Sequence, residues 1–172
     1  SEIDHMNTVD TISAICTGVG GAISIIRVSG SEARTVGGQV WQGRRQLNSH
    51  PHQLLPGHLT LGDETTGDTA MAVFMPSPHS YTGEDTVEIH GHGGILSTKR
   101  ILESCLTAGA RLAEPGEFTY RAFVNGKMDL TQAEAISDII TAHSDMALHL
   151  AERQLAGRLR DTVTNQRDAL VS

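Results

Sequence analysis

The placement of helix breakers constrains this chain more than any other feature. From Asp129 to Ser172 there is no proline and a single glycine, Gly157, while all five prolines and every other glycine come earlier. Proline removes a backbone donor and fixes φ, and glycine costs a helix ~1 kcal/mol relative to alanine. The last 44 residues can therefore run as helix, and the part before them cannot be made of long helices. Asp129 is an N-cap candidate, and Gln132 three residues on completes a capping box. Ala133, Ile136, Ile140, Ala147, Leu150, Leu155, Leu159 and Val163 keep a helical period, with Ser144-Asp145 placed to end one helix and cap the next. Such a stripe cannot bury itself, so this segment reads as the start of a helical domain that needs more chain or a partner.

The earlier part reads as α+β. Residues 10–17 and 22–28 are strand-like around the glycine loop Gly18-Val19-Gly20-Gly21. Ser29-Gly30-Ser31 offers an N-cap for a short helix from Glu32 to about Trp41, weakened by Gly37 and Gly38. Residues 42–57 are polar, contain Pro51 and Pro56, and read as loop; 58–63 and 68–75 flank Thr65-Thr66-Gly67 as an antiparallel pair. A turn-rich stretch over 76–85 leads to a strand, Thr86 to His90, and then to Gly91-His92-Gly93-Gly94. A helix over 95–108 follows, with Leu96, Ile101, Leu102, Cys105 and Leu106 on one side and Gly109 as its stop. Residues 110–118 supply a short strand and a Pro-Gly turn, and 119–127 a helical turn ending at Asn125-Gly126. The expected organisation is a cloning remnant over 1–5 ahead of Met6, an α+β domain over 6–124, and the start of a helical domain over 125–172.

Composition excludes several functions. A net charge of −7 makes the chain a poor stand-alone nucleic-acid binder, because phosphate contacts need clustered Lys and Arg. No run of 18 apolar residues is present to span a membrane, and no basic-then-apolar leader opens the chain. Cys16 and Cys105 form neither a disulfide framework nor a zinc spacing, which fits a reducing, cytoplasmic setting. There is no G-x-x-x-x-G-K-[ST] phosphate loop, and Gly18-Val19-Gly20-Gly21 does not fit G-x-G-x-x-G.

Three polar residues stand out. In Thr86-Val87-Glu88-Ile89-His90, Val87 and Ile89 face one way and Glu88 and His90 the other, either toward water or toward a site. Arg27 interrupts Ile25-Ile26-Arg27-Val28, a run that reads as a central, covered strand, so it needs a partner. Glu88 is one candidate, either as structural pairing or as two walls of a ligand cleft. Asn125-Gly126-Lys127 presents a lysine immediately before the capped helix, on the surface or at that cleft. His90-x-His92 suggests a metal only weakly, since no firm third ligand accompanies it. The glycines around it point to close backbone approach and to free amides at the next helix, fit to hold an anion or carbonyl.

Together DTISAI, AISIIRVSG, SYTGEDTVEIHGHGG and ARLAEPGEFTYRAFVNGKMDLTQAEA closely resemble the N-terminal region of the MnmE/TrmE tRNA modification GTPase family, from about Asp10 onward. The resemblance implies a fold similar to aminomethyltransferase folate domains, binding of a 5-formyl- or methylene-tetrahydrofolate, and homodimerisation. It further implies, for a full-length protein, a helical domain interrupted by a GTPase domain using GTP, magnesium and potassium. Its partner would be the flavoprotein MnmG, in an aminomethyl-type modification of the tRNA wobble uridine. The family's folate positions fall here on Arg27, Glu88 and Lys127. Two motifs depart from the family pattern: the loop before the arginine strand lacks its usual arginine, and Ile95 replaces a proline. The chain carries no GTPase motif and is expected to be a fragment without GTPase activity. A structural dimerisation module with a degenerate folate site and a free-standing folate aminomethyltransferase-like protein are the alternatives.

Overall fold

A computed structural model describes residues 10–62 and 64–140, and beyond them 152–153, 156–157, 160, 163–164 and 167. The remnant expected at 1–5, the break expected at Ser144-Asp145 and the stripe positions Ala147, Leu150, Leu155 and Leu159 lie outside the described residues. The chain runs β1 (Ile12–Ile15), β2 (Ile23–Ser29), α1 (Ala33–Val40), β3 (Trp41–Gln42), a short 3-10 turn (Leu47–Ser49), β4 (Leu55–Leu61), β5 (Glu64–Met75), β6 (Thr86–His92), α2 (Ile95–Thr107), β7 (Arg111–Leu112) and α3 (Glu117–Val124). A further helix, α4, runs over 130–140. The seven strands form one sheet in the order β3-β4-β5-β6-β2-β1-β7, an α+β arrangement. All pairs are antiparallel except β1–β7.

The alternation of β2 and β6 decides where the core lies. Ile26, Val28, Val87 and Ile89 are fully buried and pack with Val36 and Val40 of α1 and Ile101 and Cys105 of α2. Burial pushes the Cys105 thiol up to about 12, leaving an inert core group. Gly37 lowers α1's helix propensity, yet a Cβ there would lie 2.8 Å from Val87 Cγ1, so the glycine lets α1 sit directly on β6.

Several expectations need correction. Ser29-Gly30-Ser31 does not cap α1; the N-cap residue is Glu32, with no side-chain capping bond. Part of the expected loop over 42–57 is ordered as strand, because β4 begins at Leu55 and takes Pro56 inside it. The hairpin turns at Gly62 (φ 75), where Leu61 pairs with Glu64, and Thr65-Thr66-Gly67 lies within β5. Leu96 is 72% exposed, so the expected apolar face of α2 starts later: Ile101 and Cys105 are buried, Leu102 and Leu106 pack against the core, and Thr98 is buried beside them. β2 is central, but only one of its faces is covered throughout, and Ile23 is 60% exposed.

The two chain reversals that place Lys127 are both legible chemistry. Gly126 adopts φ 73, the Gly126 amide donates to Phe123 O and the Lys127 amide to Ala122 O, the double bond of a left-handed helix cap. The capping box then forms as expected: Gln132 N donates to Asp129 Oδ1 (2.8 Å) and Asp129 N to Gln132 Oε1 (3.0 Å). On α4 Ala133, Ile136 and Ile140 are only partly covered, and Ile139 is 58% exposed.

Candidate functional site

On the sheet face opposite the core, β2–β6 register sets Arg27 directly across from Glu88, and β5–β6 register sets Val73 on Glu88's other side. Arg27 Nε donates to Glu88 Oε2 at 3.0 Å. Two residues along β6, on the same face, His90 Nε2 lies 3.2 Å from Glu88 Oε1, which requires that nitrogen to carry the proton. The side chains of Arg27 and Glu88 retain 20% and 16% of their exposure, so the pair is shielded but reachable. The guanidinium carbon sits 5.0 Å from the Tyr81 ring centre and 5.2 Å from that of Phe118, within cation–π range of both. Neither terminal guanidinium nitrogen bonds any described residue.

A roof holds those rings in place. The 76–85 loop is tied to α3 and its C-cap by Tyr81 Oη with Thr119 Oγ1 (2.8 Å), Asn125 Nδ2 to Thr82 O (2.8 Å) and Lys127 Nζ to Pro78 O (3.1 Å). Gly83 permits this closeness: its φ is 80, and an added Cβ would stand 2.9 Å from Asn125 Cβ. Lys127 is thus one layer away, on the roof, and no hydrogen bond or ion pair among the described residues joins it to Arg27 or Glu88.

Beneath the roof lies a cluster that sequence reasoning missed. Arg121 is completely buried and donates to Asp10 O, Asp10 Oδ1 (3.0 Å) and both oxygens of Glu84 (3.2 Å each). Arg111 forks onto Glu117 (2.7 and 3.0 Å) and onto Asp10 through Nε (2.6 Å). Glu84 also accepts from Ser29 Oγ at 2.7 Å, which fastens the loop to β2. Hydrogen bonds from Arg111 hold the Asp10 carboxyl below its ordinary value. Burial pushes Glu117 up, but bonds from Arg111 and the Glu114 amide, with the Arg111 and Arg121 charges, outweigh it and leave the group lowered. Hydrogen bonds to Asp10 and Glu117, with the charges of those carboxylates, raise Arg111 against the opposing effect of burial. The i,i+4 spacing of Glu117 and Arg121 was the available signal; the partners from Asp10, Glu84 and Arg111 had none.

The glycines after β6 have a structural explanation. A Cβ on Gly93 would fall 1.9 Å from Gly21 O, and Gly93 exchanges backbone bonds with Gly20 and Ala22. The close approach is therefore between two backbone loops. His92 does not join a ligand set: among the described residues no three His, Cys, Asp or Glu side chains converge on one point.

The family described as "GTP-binding protein TrmE N-terminus" matches residues 11–127, more than half of the chain. The chain belongs to the TrmE N-terminal family. Proteins named tRNA modification GTPase MnmE match over nearly its whole length: 46% identity across 95% of the chain in Shouchella clausii, and 48% across 94% in Roseiflexus castenholzii. In Geobacter sulfurreducens the identity is 50% across 90% of the chain. The TrmE-type chain spans about a third of these relatives, 34–36% of their length. Arg27, Glu88 and Lys127 all lie within the matched span. No helix among the described residues is long and apolar enough to cross a membrane.

Proposed function

We propose that this chain supplies the folate-binding and dimerising N-terminal region of a tRNA modification GTPase. The observation that carries the reading is the half-buried Glu88 carboxylate, clamped by Arg27 and His90 yet still able to accept. A carboxylate offers about four lone-pair sites, and Arg27 and His90 take one on each oxygen. The two that remain match the paired N–H donors on the amino-pyrimidinone edge of a pterin, in the bidentate manner of carboxylate–guanidinium pairs. Arg27 fixes the carboxylate's orientation, and its free terminal nitrogens can meet a carbonyl or formyl oxygen. Lys127, on the roof, is suited to an anionic part of the ligand once it leaves Pro78 O. When bound, a 5-formyl- or methylene-tetrahydrofolate supplies a one-carbon unit; the residues here bind and orient it.

In this reading the domain is similar to aminomethyltransferase folate domains and pairs as a homodimer, and it works in the cytoplasm beside the flavoprotein MnmG. The whole protein carries GTP, magnesium and potassium in a separate GTPase domain and acts on the tRNA wobble uridine. The matched relatives' names support the tRNA and GTPase parts. This chain has no phosphate-loop motif and is expected to give no GTP turnover by itself. A degenerate site in a structural module is the competing reading, favoured by the fact that Arg27, Glu88 and His90 already satisfy one another. Titration calorimetry with 5-formyltetrahydrofolate separates the two: Glu88→Ala is expected to lose binding, and unchanged affinity would leave only the structural module.

A further inference from the structure

On the core-facing side of the sheet, a second cleft of about 410 Å³ opens between α1 and the 43–48 loop, within the range of small-molecule sites. Val87, the core-facing neighbour of Glu88, lines it together with Trp41 and Leu47, so its base is apolar and the sheet separates it from Glu88. The rim is of another kind. It carries Arg34 from α1 and Arg45, Gln46 and Asn48 from the loop, all exposed. No Asp or Glu lines the cleft, although acidic residues outnumber Lys and Arg 20 to 13 in the chain. Arg34 has one loose ion pair, Nε to Asp85 Oδ2 at 3.9 Å, and Arg45 has none with any described residue. Neither guanidinium donates a hydrogen bond to a described residue.

Gly38 keeps the cleft open. It follows Arg34 by four residues, on the same side of α1, and it lines the cleft. Gly37 is explained by its contact with Val87, but a Cβ on Gly38 would meet nothing within 4 Å, and its φ is not positive. Glycine there lowers the helix propensity of α1, and no packing contact requires it. What it preserves is space beside Arg34.

We infer that this cleft is a binding site for a small phosphate monoester with a compact apolar body. Two guanidiniums bring two positive charges, each with a fork of donors. A phosphate monoester answers with a charge of about −1.5 to −2 near pH 7 and three acceptor oxygens, whereas a carboxylate or a phosphodiester brings a single charge. The side-chain amides of Gln46 and Asn48 add neutral donors, and Trp41, Leu47 and Val87 face the ligand's body. The site is independent of the folate reading of Glu88.

Trp41 is the chain's single tryptophan, so its emission reports on this cleft. The test is fluorescence titration with phenyl phosphate, benzoate and a short single-stranded RNA on the unchanged chain, Arg34→Gln, Arg45→Gln and Gly38→Leu, with urea unfolding of each. All three positions are exposed, so the variants are expected to fold. Phenyl phosphate should bind at millimolar concentration or below and change the Trp41 emission, with benzoate about tenfold weaker. Each arginine variant should weaken phenyl phosphate by roughly tenfold, the size of a lost charge-assisted bond. Gly38→Leu should raise the urea midpoint while weakening phenyl phosphate by a similar factor, a split that a purely structural glycine would not produce. No binding of phenyl phosphate, equal affinity for benzoate, or unchanged affinity in the two arginine variants would overturn the inference. Arginine-dependent binding of the RNA without binding of phenyl phosphate would also overturn it, in favour of a backbone phosphodiester.

Discussion

Two arginine–carboxylate clusters lie on the same side of this sheet and differ in one respect. Around Arg121, Arg111, Asp10, Glu84 and Glu117 are bonded from several directions, and the central guanidinium is completely buried. Around Arg27, one carboxylate holds one arginine nitrogen and one histidine, both terminal guanidinium nitrogens are without a described partner, and the pair remains reachable. A saturated buried cluster has nothing to offer a ligand and everything to lose from truncation. An unsaturated, shielded one is the reverse. The first therefore fastens the roof, and the second, beneath it, is the site proposed to receive a ligand.

The largest effect is expected from Arg121→Met. It leaves three carboxylates without their common counter-charge, and losing one partner of a buried ion pair costs about 3–5 kcal/mol. Urea unfolding checks this; a loss below ~1 kcal/mol would make the two clusters alike. Gly83→Ala comes next. Its φ of 80 and the 2.9 Å approach to Asn125 Cβ demand a shift of the roof, at a cost of roughly 1–3 kcal/mol. Folate affinity should fall with it, because Tyr81 moves away from Arg27.

The saturated cluster also sets the acid limit. Asp10 and Glu117 are lowered from 3.8 and 4.5 in the folded chain. Their contribution is fully present above those ordinary values and is lost as pH falls through the lower folded ones. The urea midpoint should hold steady down to about pH 5 and then drop, with a shallower drop in Arg121→Met. The smallest effect belongs to Asp129→Ala, which removes the side-chain half of the capping box at α4, the bond from the Gln132 amide to Asp129 Oδ1, and keeps the Asp129 amide that donates to Gln132. It should speed hydrogen exchange over 130–140 by the equivalent of ~1 kcal/mol and leave both clusters untouched.

Local chemistry made much of this visible in the sequence. Period-two alternation marks Val87 and Ile89 as core and Glu88 and His90 as the other face, and the capping box at Asp129 depends only on residues three apart. The Arg27–Glu88 contact was accessible as a charge seeking a partner. What escaped depends on distant chain. The Arg121 cluster joins residues up to 111 positions apart, and nothing local to Asp10 announces it. Pro56 reads as a strand breaker, yet it sits in β4 against β5, where pairing with Met71 overrides the local signal. The glycines at 91–94 show that some backbone comes close, but not that it is Gly21. Lys127 was legible as a lysine held in a turn, while its placement on the roof follows from the loop that folds over it.

The contrast between the two clusters is tested most directly on Glu88→Gln, which keeps the shape of the side chain and removes its charge. Unfolding and folate titration are measured on the same sample. The account predicts an unfolding free energy within ~1 kcal/mol of the unchanged chain and a folate affinity lower by about 2 kcal/mol, roughly thirtyfold. A loss of stability matching that of Arg121→Met, with folate affinity unchanged, would contradict it.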